Sequence, residues 1–170
     1  FIQLQSDMCV FIHKRAPCII TMHVDDITII TSDELYRNSL IRSFERNFKM
    51  KDFGTISEYL GIQVQHHGNS ILLHQEPYIK RCVDKFNLTS CNPTKTPCAP
   101  SQKLTTDDCP ENISKKNKQL ESRPFRSIIG SLLYASLGTR PDIAYATIAS
   151  AQFCENPGKT HWTASKRVLR

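Results

Sequence analysis

A chain of 170 residues, 39% apolar and 22% charged, has the composition of an ordinary globular protein and length for one domain or two small ones. It contains no run near the ~20 apolar residues of a membrane-spanning helix, and Phe1 to Gln5 lack the basic segment and apolar core of a secretory signal. The net charge of +6 makes an anionic polymer a candidate partner, and the seven cysteines, none in Cys-x-x-Cys spacing, argue for reduced thiols in an intracellular compartment over a zinc site. A start without Met and an end within Lys166 to Arg170 raise the expectation of a piece of a longer product.

Residues 7–30 read as strand, turn, strand, acidic tip and strand. Val24 and the run Ile27 to Ile30 are β-branched or apolar and favour a pleated, half-buried surface, whereas Asp favours turns. A tight antiparallel hairpin presenting Asp25 and Asp26 at its tip follows. Two adjacent like charges repel, which points to a cation beside them, although an isolated Asp-Asp is more often a plain polar turn.

Thr31 to Met50 carries a helical stripe of Tyr36, Leu40, Ile41, Phe44 and Phe48, with capping-box spacing at Thr31 and Glu34. A helix covering one face of the sheet is the reading. Leu60, Ile62 and Val64 then alternate with Gly61, Gln63 and Gln65 as a strand that turns at His66 to Asn69 and returns over Ser70 to His74. Gly61 within that strand marks a place where a backbone or ligand comes close. His66, His67 and His74 lack carboxylate partners at ligand spacing, so a metal there is disfavoured.

Gln75 to Leu88 reads as a helix with Pro77 in its first turn and Ile79, Cys82, Val83 and Phe86 on its buried face. Lys80, Arg81 and Lys85 lie off that face, either solvated or facing phosphates. Residues 89–121, with Pro93, Pro97, Pro100 and Pro110 and the basic Lys115, Lys116 and Lys118, read as an irregular connector that packs little.

Beyond it the pattern is helical again. Ser122 can cap a helix with Pro124 in its first turn and an apolar face of Phe125, Ile128, Ile129, Leu132, Leu133 and Leu137, stopped by Gly138. Gly130-Ser131 suggests close helix packing. Pro141 and Asp142 open a second helix with Ile143, Ala144, Ile148 and Ala151 at helical spacing, and Thr160 caps a third. Lys159, Lys166, Arg167 and Arg170 concentrate positive charge there.

Three blocks in this order resemble the reverse transcriptases of copia-type LTR retrotransposons. His23-Val24-Asp25-Asp26 is similar to their Tyr-Val-Asp-Asp hairpin. Tyr59-Leu60-Gly61-Ile62 followed by Gln75-Glu76-Pro77-Tyr78-Ile79 resembles their primer-grip hairpin and the helix after it. Phe125 to Tyr134, Thr139 to Ala144, and His161-Trp162 through Arg170 match the helical tail.

The resemblance implies an α+β fold, in which antiparallel palm hairpins with a packed helix precede a helical thumb or connection-like region. It divides the chain into the C-terminal part of a palm (1–50), a primer-grip-like hairpin (51–75), a thumb-like helix with connector (76–121) and a helical thumb or connection-like region (122–170). Asp25 and Asp26 would be catalytic carboxylates holding magnesium for nucleotidyl transfer. Leu60 and Gly61 would position the primer terminus. Lys80, Arg81 and Lys85 would track the nucleic-acid backbone without reading sequence.

The implied partners are an RNA template, a DNA primer and the rest of a Pol polyprotein, with fingers, upstream palm and RNase H. The implied setting is a cytoplasmic virus-like particle or the nucleus, with no membrane. His23 stands where the family has Tyr, and the fingers and an earlier palm Asp have no counterpart in the 24 residues before Asp25. The expectation is a polymerase fragment that is inactive alone. The alternative is a degenerate or co-opted remnant that only binds nucleic acid through basic helices. A small metal-dependent phosphohydrolase has no third ligand or general base in any motif.

Overall fold

A computed structural model describes residues 1–100, 102–111 and 124–170. Two compact units divide the chain, Phe1–Thr55 and Ile56–Arg170. Antiparallel sheets and helices are both present, so the class is α+β as expected.

In the first unit, β1 (Ile2–Gln3), β2 (Val10–Ile12), β3 (Cys18–His23) and β4 (Asp26–Thr31) form an antiparallel meander in sequence order. Short links between apolar strands leave each strand its predecessor as the nearest partner. Register follows side-chain alternation. Phe11, Ile20 and Ile29 align on one face, where Ile20 is buried, and Ile12, Ile19 and Ile30 align on the other, where Ile12 and Ile30 are exposed.

Helix α1 (Glu34–Asn47) packs against β4 and half-buries Tyr36, Leu40, Ile41 and Phe44, while Phe48 falls outside the helix and is exposed. Its cap is Asp33 rather than the Thr31–Glu34 box: Asp33 Oδ1 accepts from the Tyr36 N–H at 2.9 Å. Thr31 instead accepts from the Asp33 N–H at 3.2 Å, which sets up the cap two residues later.

The second unit opens with β5 (Glu58–Tyr59), β6 (Ile62–His67) and β7 (Ser70–His74), a three-stranded antiparallel sheet. Leu60 and Gly61 are the two-residue turn between β5 and β6, so Gly61 is not inside a strand as expected. Tyr59 pairs with Ile62, and Leu60 and Gly61 have φ of +51° and +77°. Both central residues in the left-handed region is the signature of a hairpin turn whose twist matches its strands.

Helix α2 (Glu76–Lys85) follows, with Gln75 at its N-cap. Helices α3 (Phe125–Gly138), α4 (Ala144–Ala151) and α5 (Lys159–Leu169) pack with it around Cys82, Phe86, Phe125, Ile128, Ile129, Leu132, Ala146 and Val168. Each fully buried Ile, Leu or Phe there contributes about 1.5–3 kcal/mol.

Several expected core positions lie outside it. Leu137 and Ile148 are 86% and 56% exposed, because α3 buries Phe125, Ile128, Ile129 and Leu132, and α4 buries Ala146, Thr147 and Ser150. A Cβ at Gly130 would meet nothing within 4 Å, so that glycine is not a packing contact. Helix α5 starts at Lys159, and its N-terminus is satisfied by His161, whose Nδ1 accepts from the Gly158 N–H at 2.9 Å, not by Thr160. Ser122, Lys115, Lys116 and Lys118 lie outside the described residues.

The described connector packs more than its composition predicts. The Thr94 N–H donates to the Arg170 carbonyl at 3.2 Å, and Arg170 donates from Nε and Nη2 to the Asn92 carbonyl at 2.8 and 2.6 Å. Arg167 Nη2 donates to Thr96 Oγ1 at 3.0 Å. Two of the C-terminal cations therefore staple the connector onto α5.

Candidate functional site

The acidic tip is built by the turn between β3 and β4. His23 pairs with Asp26, which leaves Val24 and Asp25 as the turn and makes Asp26 the first residue of β4. Val24 was expected in a strand; it sits instead at φ +54° and is 87% exposed. Left-handed backbone costs a β-branched residue about 1–3 kcal/mol, so surrounding pairing must impose it. Six consecutive pairs from Cys18↔Thr31 to His23↔Asp26 do so.

Asp25 and Asp26 are both exposed, and among the described residues no hydrogen bond or ion pair engages either carboxylate. Hard, ionised oxygen donors side by side and free of cations match the donor chemistry of a magnesium or calcium ion. The donor set is a pair: among the described residues no group of three His, Cys, Asp or Glu could hold a metal. The three histidines do not form such a group either, and His66 Nε2 is engaged with the Ile56 carbonyl at 3.1 Å.

The remaining candidates lie in the second unit. Leu60 is 44% exposed at the β5–β6 tip. Lys80, Arg81 and Lys85 are exposed on α2, but each already has a neighbour. Lys80 pairs with Glu76 at 2.6 Å, and that ion pair raises the lysine's pKa and lowers the glutamate's. Arg81 lies 6.0 Å from the Tyr78 ring centre, and Lys85 Nζ donates to Ser127 Oγ at 2.8 Å. An exposed pair such as Lys80–Glu76 is worth little. Lys85 also ties α2 to α3.

Reading by periodicity missed two side chains that tie distant elements of this unit together. Gln75 is 1% exposed, and its Oε1 accepts from Thr139 Oγ1 at 3.0 Å, in the space left by Gly138. Tyr134 Oη donates to the Leu60 carbonyl at 2.6 Å. Tyr134 could have been singled out as the aromatic lying off the apolar stripe of α3. Its partner, 74 residues away, has no sequence signal.

The profile of the family described as reverse transcriptase (RNA-dependent DNA polymerase) matches residues 1–100. The whole chain aligns with the retrovirus-related Pol polyprotein from transposon TNT 1-94 of Nicotiana tabacum at 35% identity, and with that from transposon RE1 of Arabidopsis thaliana at 32%. It spans only 13% and 11% of the length of those polyproteins. An uncharacterized mitochondrial protein of Arabidopsis thaliana is 34% identical over 88% of this chain and 58% of its own length. No solved structure matches. Among the described residues, no helix is long and apolar enough to cross a membrane.

Proposed function

Because this chain belongs to the reverse transcriptase (RNA-dependent DNA polymerase) family, we propose that it is the part of a retrotransposon polymerase that presents Asp25 and Asp26 to a magnesium ion at the primer terminus. The observation that carries this is the β3–β4 hairpin, which exposes two adjacent carboxylates with no cation partner among the described residues. Magnesium, when bound, would activate the primer 3′-hydroxyl and neutralise the leaving pyrophosphate. The chain's own contribution is to hold two negative oxygen donors at the tip of the β3–β4 hairpin, with Leu60 and Gly61 placing the primer strand. Lys80, Arg81 and Lys85 contact phosphates without reading bases. Residues 1–50 act as the palm portion, and the helices after β7 as thumb or connection.

A pair of carboxylates is an incomplete donor set, and among the described residues no third group joins it. This supports the reading that the isolated chain does not extend a primer. The test is manganese titration followed by nuclear magnetic resonance, with Mn²⁺ as a paramagnetic stand-in. Selective broadening of the Asp25 and Asp26 amides, abolished in Asp25→Asn/Asp26→Asn, is expected. Uniform broadening, or none, sinks the metal role. Extension of an RNA-templated primer by the isolated chain would overturn the inactivity.

A second reading has one observation in its favour. The same stretch makes up more than half of a relative much shorter than the Pol polyproteins. A co-opted remnant would keep the basic helices and bind a primer–template duplex in a salt-dependent way, while the acidic tip would show no metal response.

A further inference from the structure

The turn at Leu60–Gly61 is conformationally costly. Leu60 has φ +51°, a region that costs a non-glycine residue about 1–3 kcal/mol and persists only where neighbours impose it. Pairing of Tyr59 with Ile62 closes the turn, and Tyr134 engages it from α3. Its hydroxyl donates to the Leu60 carbonyl at 2.6 Å, across 74 residues of sequence. The approach depends on Gly61, because a Cβ on that residue would fall on the Tyr134 hydroxyl.

Tyr134 is itself held. Its ring stands edge-on to Tyr78 with centroids 4.7 Å apart and an interplanar angle of 66°. Tyr78 Oη donates in turn to the Ser131 carbonyl, about one helical turn before Tyr134, at 3.1 Å. Helices α2 and α3 therefore meet the hairpin tip through one pair of tyrosines.

This tie is not core packing. Tyr134 and Leu60 are 40% and 44% exposed, so losing the hydroxyl removes little buried area. What it removes is a directional constraint on a carbonyl in a two-residue turn. A surface bond that contributes little to burial, yet holds a strained tip in register with two helices, serves to place the tip.

We infer that Tyr134 is a positioning residue for the Leu60–Gly61 tip, fastening it to α2 and α3 so that the primer end of a nucleic-acid duplex meets it in one orientation. The inference rests on the reading of this hairpin as the primer-contacting element.

The experiment uses this chain with an RNA template annealed to a DNA primer whose 3′-terminal nucleotide is a photoreactive thiothymidine. Wild type is expected to cross-link within residues 58–62. Tyr134→Phe, which keeps the ring, is expected to bind the duplex within about twofold of wild type. Its cross-linking to that segment falls about fivefold, and the Leu60 to Ile62 amides exchange hydrogen about fivefold faster, as the absence of one hydrogen bond predicts. Tyr145→Phe, which deletes the hydroxyl of a residue 80% exposed on α4, leaves the cross-link unchanged.

Unchanged cross-linking in Tyr134→Phe overturns the proposal, whether or not exchange speeds up. So does an equal loss in Tyr145→Phe, which would mean that the effect is not specific to the Tyr134 hydroxyl. A wild-type chain that binds the duplex yet does not cross-link within residues 58–62 overturns the reading of the hairpin itself. That failure is told apart because it appears without any substitution.

Discussion

Truncating His161 to Ala tests how the connector is held, and the structure sets the size of the effect. His161 is fully buried, with its ring stacked on Phe153 at a centroid distance of 4.0 Å and an interplanar angle of 15°. Nδ1 accepts from the Gly158 N–H at 2.9 Å, which places the ring proton on Nε2, 3.2 Å from the Thr105 carbonyl. Removing the ring opens a cavity, at about 3–5 kcal/mol for a buried aromatic group. It also strands a donor and an acceptor that together add a further ~1–3 kcal/mol where water cannot reach them. Against a total stability of about 5–15 kcal/mol, His161→Ala is expected to remove a third or more. His161→Gln, which can replace one of the two bonds, should cost about 1–2 kcal/mol.

The same geometry predicts a pH dependence. Burial pushes the His161 pKa down from its ordinary value, opposed by the Thr105 carbonyl and the Asp108 carboxylate. The folded chain therefore resists a proton that the unfolded chain accepts. Stability is fully present above the ordinary histidine value of about 6.5, and is lost as pH falls below it towards the depressed folded value. Chemical denaturation of wild type and His161→Gln at about pH 7.5 and about pH 5.5 reads this difference, since other titrating groups cancel between the two proteins. The wild type's advantage should shrink at the lower pH. An advantage independent of pH, or a His161→Ala cost below ~1 kcal/mol, refutes the reasoning.

Val24→Gly should stabilise the first unit by about 1 kcal/mol, because relief of a left-handed β-branched residue (~1–3 kcal/mol) outweighs the extra unfolded-state entropy of Gly (~0.5–1 kcal/mol). A lower thermal midpoint would show that Val24 is not strained. Replacing Lys80, Arg81 and Lys85 together with Gln should flatten the slope of log affinity against log salt for a duplex by up to about 0.9 for each phosphate no longer neutralised; an unchanged slope means α2 does not touch the backbone. Arg170→Gln should leave the core intact but speed proteolysis near Asn92 to Thr96, which limited digestion with mass mapping reads directly; unchanged cleavage there would show that the Asn92 staple holds nothing.

Much of the architecture was legible because it is local. Period-two alternation placed β6, the turn after it implied the return strand β7, period-four apolar spacing placed α1, and the dislike of Asp for strands put Asp25 into a turn flanked by strands. These depend on neighbours within a few residues, and the chain carries that information directly. Turn chemistry was legible only where the residue types were usual: Gly68-Asn69 announces a hairpin turn, whereas Leu60-Gly61 and Val24-Asp25 put a left-handed backbone on Leu60 and Val24, residue types that avoid it.

Tertiary structure decided the rest. Leu137 has the spacing of a core residue and is exposed, because burial on α3 depends on where α2, α4 and α5 stand. Arg167 and Arg170 read as free charge and are bonded to a connector 71 and 78 residues earlier. The tie from Tyr134 to Leu60 and the burial of Gln75 beneath Gly138 depend on contacts no periodicity encodes, since which distant groups meet is set by how the packed elements share one core. The sequence by itself determined the acidic tip and the family. Only the fold decided which side chains hold the second hairpin's tip in place.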